Sequence, residues 1–371
     1  MQHCDVLVVG GGPAGSACAG ALRSQGANVL VMDRAQFPRD KVCAGWITPD
    51  VVQVLGLDLA DYARTRVLQP FRGFRTGLIG GAALENRYPR TVSYGIRRVE
   101  FDHDLLQRAD VPLALGTPVR TIERRGQQWV INHNVTASMV VGAGGHFCPV
   151  ARWLNPPDDS APQVVAQEME FRLSPAQVRD SPVRGDTPEL FFCRDLKGYG
   201  WCLRKDDYLN VGLGREDAAP LPGQLDDFCA WLQARGTIPA QPPARFHGHA
   251  YRLWHPDRQV RVGDGMLLVG DAAGLARPQS GEGILPAIES GLLAARTIGA
   301  AAGDYRRETL AGYATQLQAG YGGITALPLV GPRSAALQAA LGRVLLGSRW
   351  FSRHVLLDRW FLHPGRLSPA S

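Results

Sequence analysis

Asp5-Val6-Leu7-Val8-Val9 runs directly into Gly10-Gly11-Gly12-Pro13-Ala14-Gly15, and the reading of this stretch decides the fold. The apolar run reads as a buried parallel strand, and Ala17 to Arg23 after the glycines as a helix. A second apolar strand, Val29-Leu30-Val31-Met32, ends in Asp33 and Arg34, with Asp33 standing 18 residues beyond Gly15. An acidic side chain there can hydrogen-bond a ribose hydroxyl. Gly10, Gly12 and Gly15 let the backbone approach a pyrophosphate, while Pro13 and Ala14 open a helix whose free N–H groups and dipole favour its charge.

A second glycine-rich segment begins 260 residues later, at Gly270-Asp271-Ala272-Ala273-Gly274, and continues through Pro278-Gln279-Ser280-Gly281-Glu282-Gly283. Met266 to Val269 reads as the strand before it and Ile284 to Ala295 as the helix after it. Asp271 then falls where it can accept from a ribityl hydroxyl. Gly281, Gly283 and Ile284 place N–H groups against the N1 and O2 edge of a reduced, anionic flavin. The two segments together read as opposite ends of one FAD site.

Because the second loop arrives so late, the chain reads as α/β with a discontinuous Rossmann-like FAD-binding domain. It is assigned residues 1–60, 95–154 and 256–303, with an inserted antiparallel-sheet substrate domain over 61–94 and 155–255 and a helical C-terminal region over 304–371. Phe71 to Leu78, Leu190-Phe191-Phe192, Trp201-Cys202-Leu203 and Tyr208 to Val211 read as strands of that sheet, with Asp206-Asp207 as a turn. Asn155-Pro156-Pro157 and Pro239 to Pro243 read as crossings or loops.

A length of 371 residues and 45% hydrophobic content suffice for a full core. The net charge of +6 comes from dispersed arginines, with lysine only at 41, 197 and 205, and no basic platform for nucleic acid emerges. Seven cysteines without paired or metal-type spacing predict neither disulfides nor a metal site. No run approaches the about 18 apolar residues of a membrane span. With the first strand beginning at once, a cytoplasmic protein is expected. From Leu337 the chain carries Leu345, Leu346, Trp350, Phe351, Val355, Leu356, Trp360 and Phe361 among arginines. A helical lid over the substrate domain is one use of this stripe. A peripheral membrane contact through the C-terminal helices, which would make the protein surface-associated, is the other.

These motifs as a set resemble the flavoprotein superfamily of the p-hydroxybenzoate hydroxylase fold, and within it most closely the geranylgeranyl reductase family, over most of residues 1–300. Two further segments carry the likeness: Phe37-Pro38-Arg39-Asp40-Lys41-Val42-Cys43-Ala44-Gly45, and Gly198-Tyr199-Gly200-Trp201-Cys202-Leu203-Arg204-Lys205. The resemblance implies an enzyme whose FAD, reduced by NAD(P)H or another donor, delivers hydride to a carbon–carbon double bond of an apolar, isoprenoid-type small molecule. It places Arg98 against the ADP side, Val119 by the adenine, and Cys43 and Ala44 beside the flavin. There the Cys43 thiol supplies a proton, lines the cavity or is merely buried structure. Lys41 is either a charge partner in the site or a solvated loop residue. Tyr199 and Trp201, on alternate strand positions, wall the pocket or pack in the core. Departures are Leu203-Arg204 where the reductases tend to have Phe-Pro, and Trp46, which narrows the pocket near the ring. The alternative on this fold is a flavin-hydroperoxide monooxygenase acting on an aromatic or polyketide-like molecule. A halogenase is disfavoured because Trp201-Cys202-Leu203-Arg204 lacks its signature. The histidines, His146 and His249 among them, carry no motif that singles one out as a general acid.

Overall fold

The computed structural model describes residues 1–155, 163–216, 218–256, 260–322 and 335–362. Pro156 and Pro157, assigned above to a crossing or loop, lie outside these. The first strand, Gln2–Val9, pairs in parallel with Val29–Met32 on one side and Val135–Gly142 on the other. Val135–Gly142 in turn pairs in parallel with Met266–Leu268. The middle residues of these strands are fully buried, so the sequence shows continuous apolar runs rather than alternation. An antiparallel hairpin, Ile122–Arg125 with Gln128–Ile131, extends from Val135–Gly142.

The two glycine loops meet because the helices that follow them touch. Helix Pro13–Ser24 packs on helix Ile284–Ala300. At their contact a Cβ on Gly291 would lie 2.3 Å from the Ala14 carbonyl oxygen, so only glycine permits this approach.

The second sheet has seven strands in the order His247–Tyr251, Val164–Arg172, Tyr208–Arg215, Gly198–Lys205, Glu189–Phe192, Gly73–Leu78 and Ala83–Arg87. It is antiparallel except between Glu189–Phe192 and Gly73–Leu78, which run parallel, so the wholly antiparallel expectation needs that correction. Strand parity divides its side chains. Phe191, Cys202 and Val211 pack under helix Leu221–Ala234, whereas Leu190, Trp201 and Leu203 face a cluster completed by Leu356, Leu357 and Phe361 of the last helix.

Phe71 to Leu78 is two strands rather than one. Leu68–Phe71 belongs to a three-stranded sheet with Trp46–Ile47 and Ser93–Ile96, and Gly73 opens the large sheet. The chain turns at Arg72, where the N–H groups of Arg72 and Gly73 both donate to the Asp186 carbonyl, at 2.9 and 3.1 Å. This small sheet takes strands from both sides of the domain boundaries expected at 60 and 95.

The C-terminal region contains helices Arg307–Tyr321 and Ala335–Leu346, then Phe351–Leu362 wound as a wide π-helix. Much of its apolar stripe is core: Leu356 and Leu357 are fully buried, whereas Trp350 stands exposed. Among the described residues no helix is long and apolar enough to cross a membrane.

Candidate active site

One cavity of about 640 Å³ runs from the first glycine loop to the C-terminal helix. At one end Gly10, Gly12, Pro13 and Ala14 line it with Asp33, Arg34 and Val119. Gly15 does not face the cavity. A Cβ there would sit 1.9 Å from the Gly10 carbonyl oxygen, so this glycine tightens the turn from behind instead of touching a ligand. Asp33 shapes the same loop: its Oδ2 accepts from Gly11 N at 2.7 Å and its Oδ1 from Ala35 N at 2.8 Å. A ribose hydroxyl would therefore meet a carboxylate already fixed in place. Gly12 caps the helix without any side-chain acceptor, leaving the first N–H groups turned to the cavity as a phosphate seat.

Midway along, Asp271, Lys41, Arg98, Cys43 and Ala44 line the cavity together with His249. Lys41 Nζ bonds His249 Nε2, which also lies 3.6 Å from Asp271 Oδ2. Burial pushes the Asp271 carboxyl up, but the neighbouring His249 and the Lys41 charge prevail and hold it at about 2. Burial lowers Lys41 to about 8 against the pull of Asp271, and burial likewise lowers His249. Asp271 is thus a fixed anion beside a lysine that sheds its proton more easily than usual. Arg98 is clamped to Asp102 by two bonds of 2.7 and 2.8 Å. Its charge is felt by Asp271, Lys41 and His249, which sets it at the middle of the cavity, away from the Val119 end.

A buried polar network holds the loop that carries Cys43 to Trp46. Lys205, fully buried, donates to the carbonyls of Ala44 and Ile96 at 3.1 and 3.0 Å and meets Glu170 Oε2 at 2.5 Å. Asn210 accepts from Trp201 Nε1 at 2.7 Å and donates to the Cys43 carbonyl at 3.3 Å and to Glu168 Oε2 at 3.1 Å. Burial raises both glutamates, and for Glu170 it is outweighed by the charge of Lys205 and the bonds from Lys205 and Arg97, so its pKa falls. For Glu168 burial outweighs the Lys205 charge and the Asn210 bond, and it is pushed up to about 7.

At the far end Gly281, Gly283 and Ile284 line the cavity, and Gly283 caps its helix without a side-chain acceptor. Tyr199 Oη donates to the Ser280 carbonyl at 2.6 Å, fixing that loop to the sheet. Glu282, also lining the cavity, is raised to about 7 by burial despite Arg277 Nε at 2.9 Å. Trp46, Tyr199, Trp201 and Phe361 form the wall opposite. A dinucleotide-linked flavin fits these residues: two uncapped helix ends and a held carboxylate lie along one continuous cavity that finishes in aromatic side chains.

Of the residues singled out from sequence, all but Gly15 line this cavity. Lys41 is among them and is not a solvated loop lysine. Sequence reasoning missed His249, Tyr251, Glu282 and Phe361, which line it too. A signal for the first two existed in the alternation of His247, His249 and Tyr251, one strand whose edge pairs with Val164–Glu168.

A model of the FAD binding domain matches residues 3–78. Over 332 residues, covering 83% of the chain and 81% of its relative, the sequence is 25% identical to the digeranylgeranylglycerophospholipid reductase of Methanocaldococcus jannaschii. The chain is similar to the geranylgeranyl reductase-like FAD oxidoreductases. This flavoprotein is also 28% identical over 335 residues to the menaquinone reductase of Mycobacterium tuberculosis, covering 80% of the chain and 77% of that protein. A geranylgeranyl bacteriochlorophyll reductase-like structure from Thermoplasma acidophilum superposes with a TM-score of 0.71 at 20% identity, over 93% of the chain and 88% of the neighbour, and so shares the fold. The flavoprotein is an FAD-dependent oxidoreductase, and the α/β fold with its FAD site is the one expected from the glycine loops.

Proposed function

We propose that this flavoprotein reduces a carbon–carbon double bond of an apolar, isoprenoid-type small molecule. The observation that carries the reading is the continuous cavity whose flavin end, at Gly281 and Gly283, opens onto Trp46, Tyr199, Trp201 and Phe361. Such a wall suits an apolar substrate lying across the ring. The names of the reductase relatives support the same chemistry. Bound FAD supplies the hydride. The chain orients it through the N–H groups at Gly283 and the Asp271 carboxylate, and Lys205 and Asn210 fix the loop that presents Cys43. Electrons come from NAD(P)H or another reductant that binds transiently. Cys43 faces the cavity and receives the Gly45 N–H at 3.4 Å, and the substrate proton is assigned to its thiol.

The test is anaerobic reduction of the purified holoenzyme, followed by mixing with prenyl alkenes while the oxidised flavin band is watched. Return of that band together with a saturated product supports the reading. No return with any alkene, combined with hydroxylated aromatic product once oxygen is admitted, would replace it with oxygen chemistry.

A further inference from the structure

We infer that the ring pair Trp46 and Phe361 is a fixed stop at the substrate end of the cavity, restricting this flavoprotein to compact apolar alkenes and excluding long polyprenyl chains. The inference deepens the alkene-reductase reading and rests on it for the chemistry, although the stop itself is a matter of geometry.

The two rings stack nearly flat, with centroids 5.4 Å apart and planes 11° from parallel. Phe361 also meets Tyr199 edge-on at 5.5 Å, and Trp46 lies 5.0 Å from Phe74, which is fully buried behind it. Trp46, Phe361 and Tyr199 all line the cavity, so the stack is its wall and not a remote part of the core. Aromatic contacts of this kind stabilise beyond the area they bury. A chain threading between the rings would have to break several together.

What makes the stop fixed is the way the helix bearing Phe361 is attached. Ser352 is fully buried and its Oγ lies 2.6 Å from Thr76 Oγ1 while accepting from Asn86 Nδ2 at 2.9 Å. Tyr88 Oη donates to Asp358 at 2.6 Å, and Arg353 donates to the Arg87 carbonyl at 2.8 Å with its guanidinium 3.4 Å over the Tyr88 ring. These partners lie on or beside the strands Gly73–Leu78 and Ala83–Arg87. Leu356 and Leu357 are buried against the same sheet. Swinging the helix aside would strand Thr76 and Asn86 without their partner, so it behaves as a wall.

The experiment titrates oxidised holoenzyme with ten-, fifteen- and twenty-carbon prenyl alcohols and reads affinity from the perturbed flavin spectrum, before any turnover. Wild type is expected to bind the ten-carbon alcohol at least tenfold more tightly than the twenty-carbon one. Trp46→Leu and Phe361→Leu, checked for full flavin content, should bring the twenty-carbon alcohol to within threefold of the ten-carbon one. Equal binding of all lengths by wild type, or flavin-replete variants with an unchanged length preference, would overturn the stop. The same enzymes are then reduced anaerobically and mixed with each alkene. Length-dependent binding without reoxidation by any of them would sink the reductase reading while leaving the stop standing.

Discussion

Lys205→Met removes an ammonium that has no access to solvent and replaces it with an apolar chain of similar length. In the folded protein this ammonium serves three acceptors: the Ala44 carbonyl at 3.1 Å, the Ile96 carbonyl at 3.0 Å and Glu170 Oε2 at 2.5 Å. Breaking a buried pair from one side typically costs about 3–5 kcal/mol, because the remaining charge stays buried. Glu170 keeps Arg97 Nε at 2.8 Å, which argues for the lower end, but two carbonyls lose their donor as well. The expected loss is therefore about 3 kcal/mol. It should be read from urea unfolding of the apoprotein, alongside FAD affinity, which should fall because the Cys43–Trp46 loop is released. Adding Glu170→Gln should recover part of the stability by removing the stranded charge. An unfolding free energy within about 1 kcal/mol of wild type, with unchanged FAD affinity, would refute the claim that this lysine pins the loop.

Asp271→Ala should weaken FAD retention far more than it disturbs folding, since the carboxylate faces the cavity. Absorbance against protein concentration checks this, and full flavin occupancy would remove Asp271 from the cofactor site. Glu168 titrates near 7 when folded against an ordinary 4.5, so the folded state holds the extra proton between those values and stability falls as pH rises through that window. Glu168→Gln should abolish that slope, gaining up to about 3 kcal/mol over wild type at pH 8 and nothing below pH 4.5. Parallel pH profiles for the two proteins would contradict it. Gly291→Ala drives a methyl group to 2.3 Å from the Ala14 carbonyl oxygen, so the melting temperature should drop by the equivalent of about 1–3 kcal/mol with loss of flavin. A variant that melts like wild type and keeps its flavin would mean that the helices yield there without moving the loops.

The dinucleotide half was legible because its signals are local. An apolar strand, a glycine turn and a helix start lie within one short stretch, and only Gly15 was assigned the wrong side of the loop. The parity of Tyr199 and Trp201 could likewise be read from strand alternation, and the two side chains line the cavity together. The His247–Tyr251 strand left only its alternation to read, since His-Gly-His has little intrinsic strand preference and is held by pairing with Val164–Glu168. Nor was the network under the loop. Glu168, Glu170, Lys205 and Asn210 come from three strands, and their adjacency is a property of register, with Glu168 opposite Gly212 and Glu170 opposite Asn210. Phe361 reaches the cavity from the last described helix, at a distance in sequence that no periodicity spans.

The contact between Gly291 and Ala14 also bears on how the protein is made. A ribosome releases the phosphate seat at Gly10 to Ala14 well before the helix that sets its counterpart, Ile284–Ala300. The long-range contacts on which the cavity depends can therefore form only when most of the chain has emerged. Until then the apolar strand Gln2–Val9 lacks its neighbour Val135–Gly142 and waits with an unpaired edge. Cofactor capture is then a late event of synthesis, and nascent chains stalled short of Ile284 should emerge without flavin.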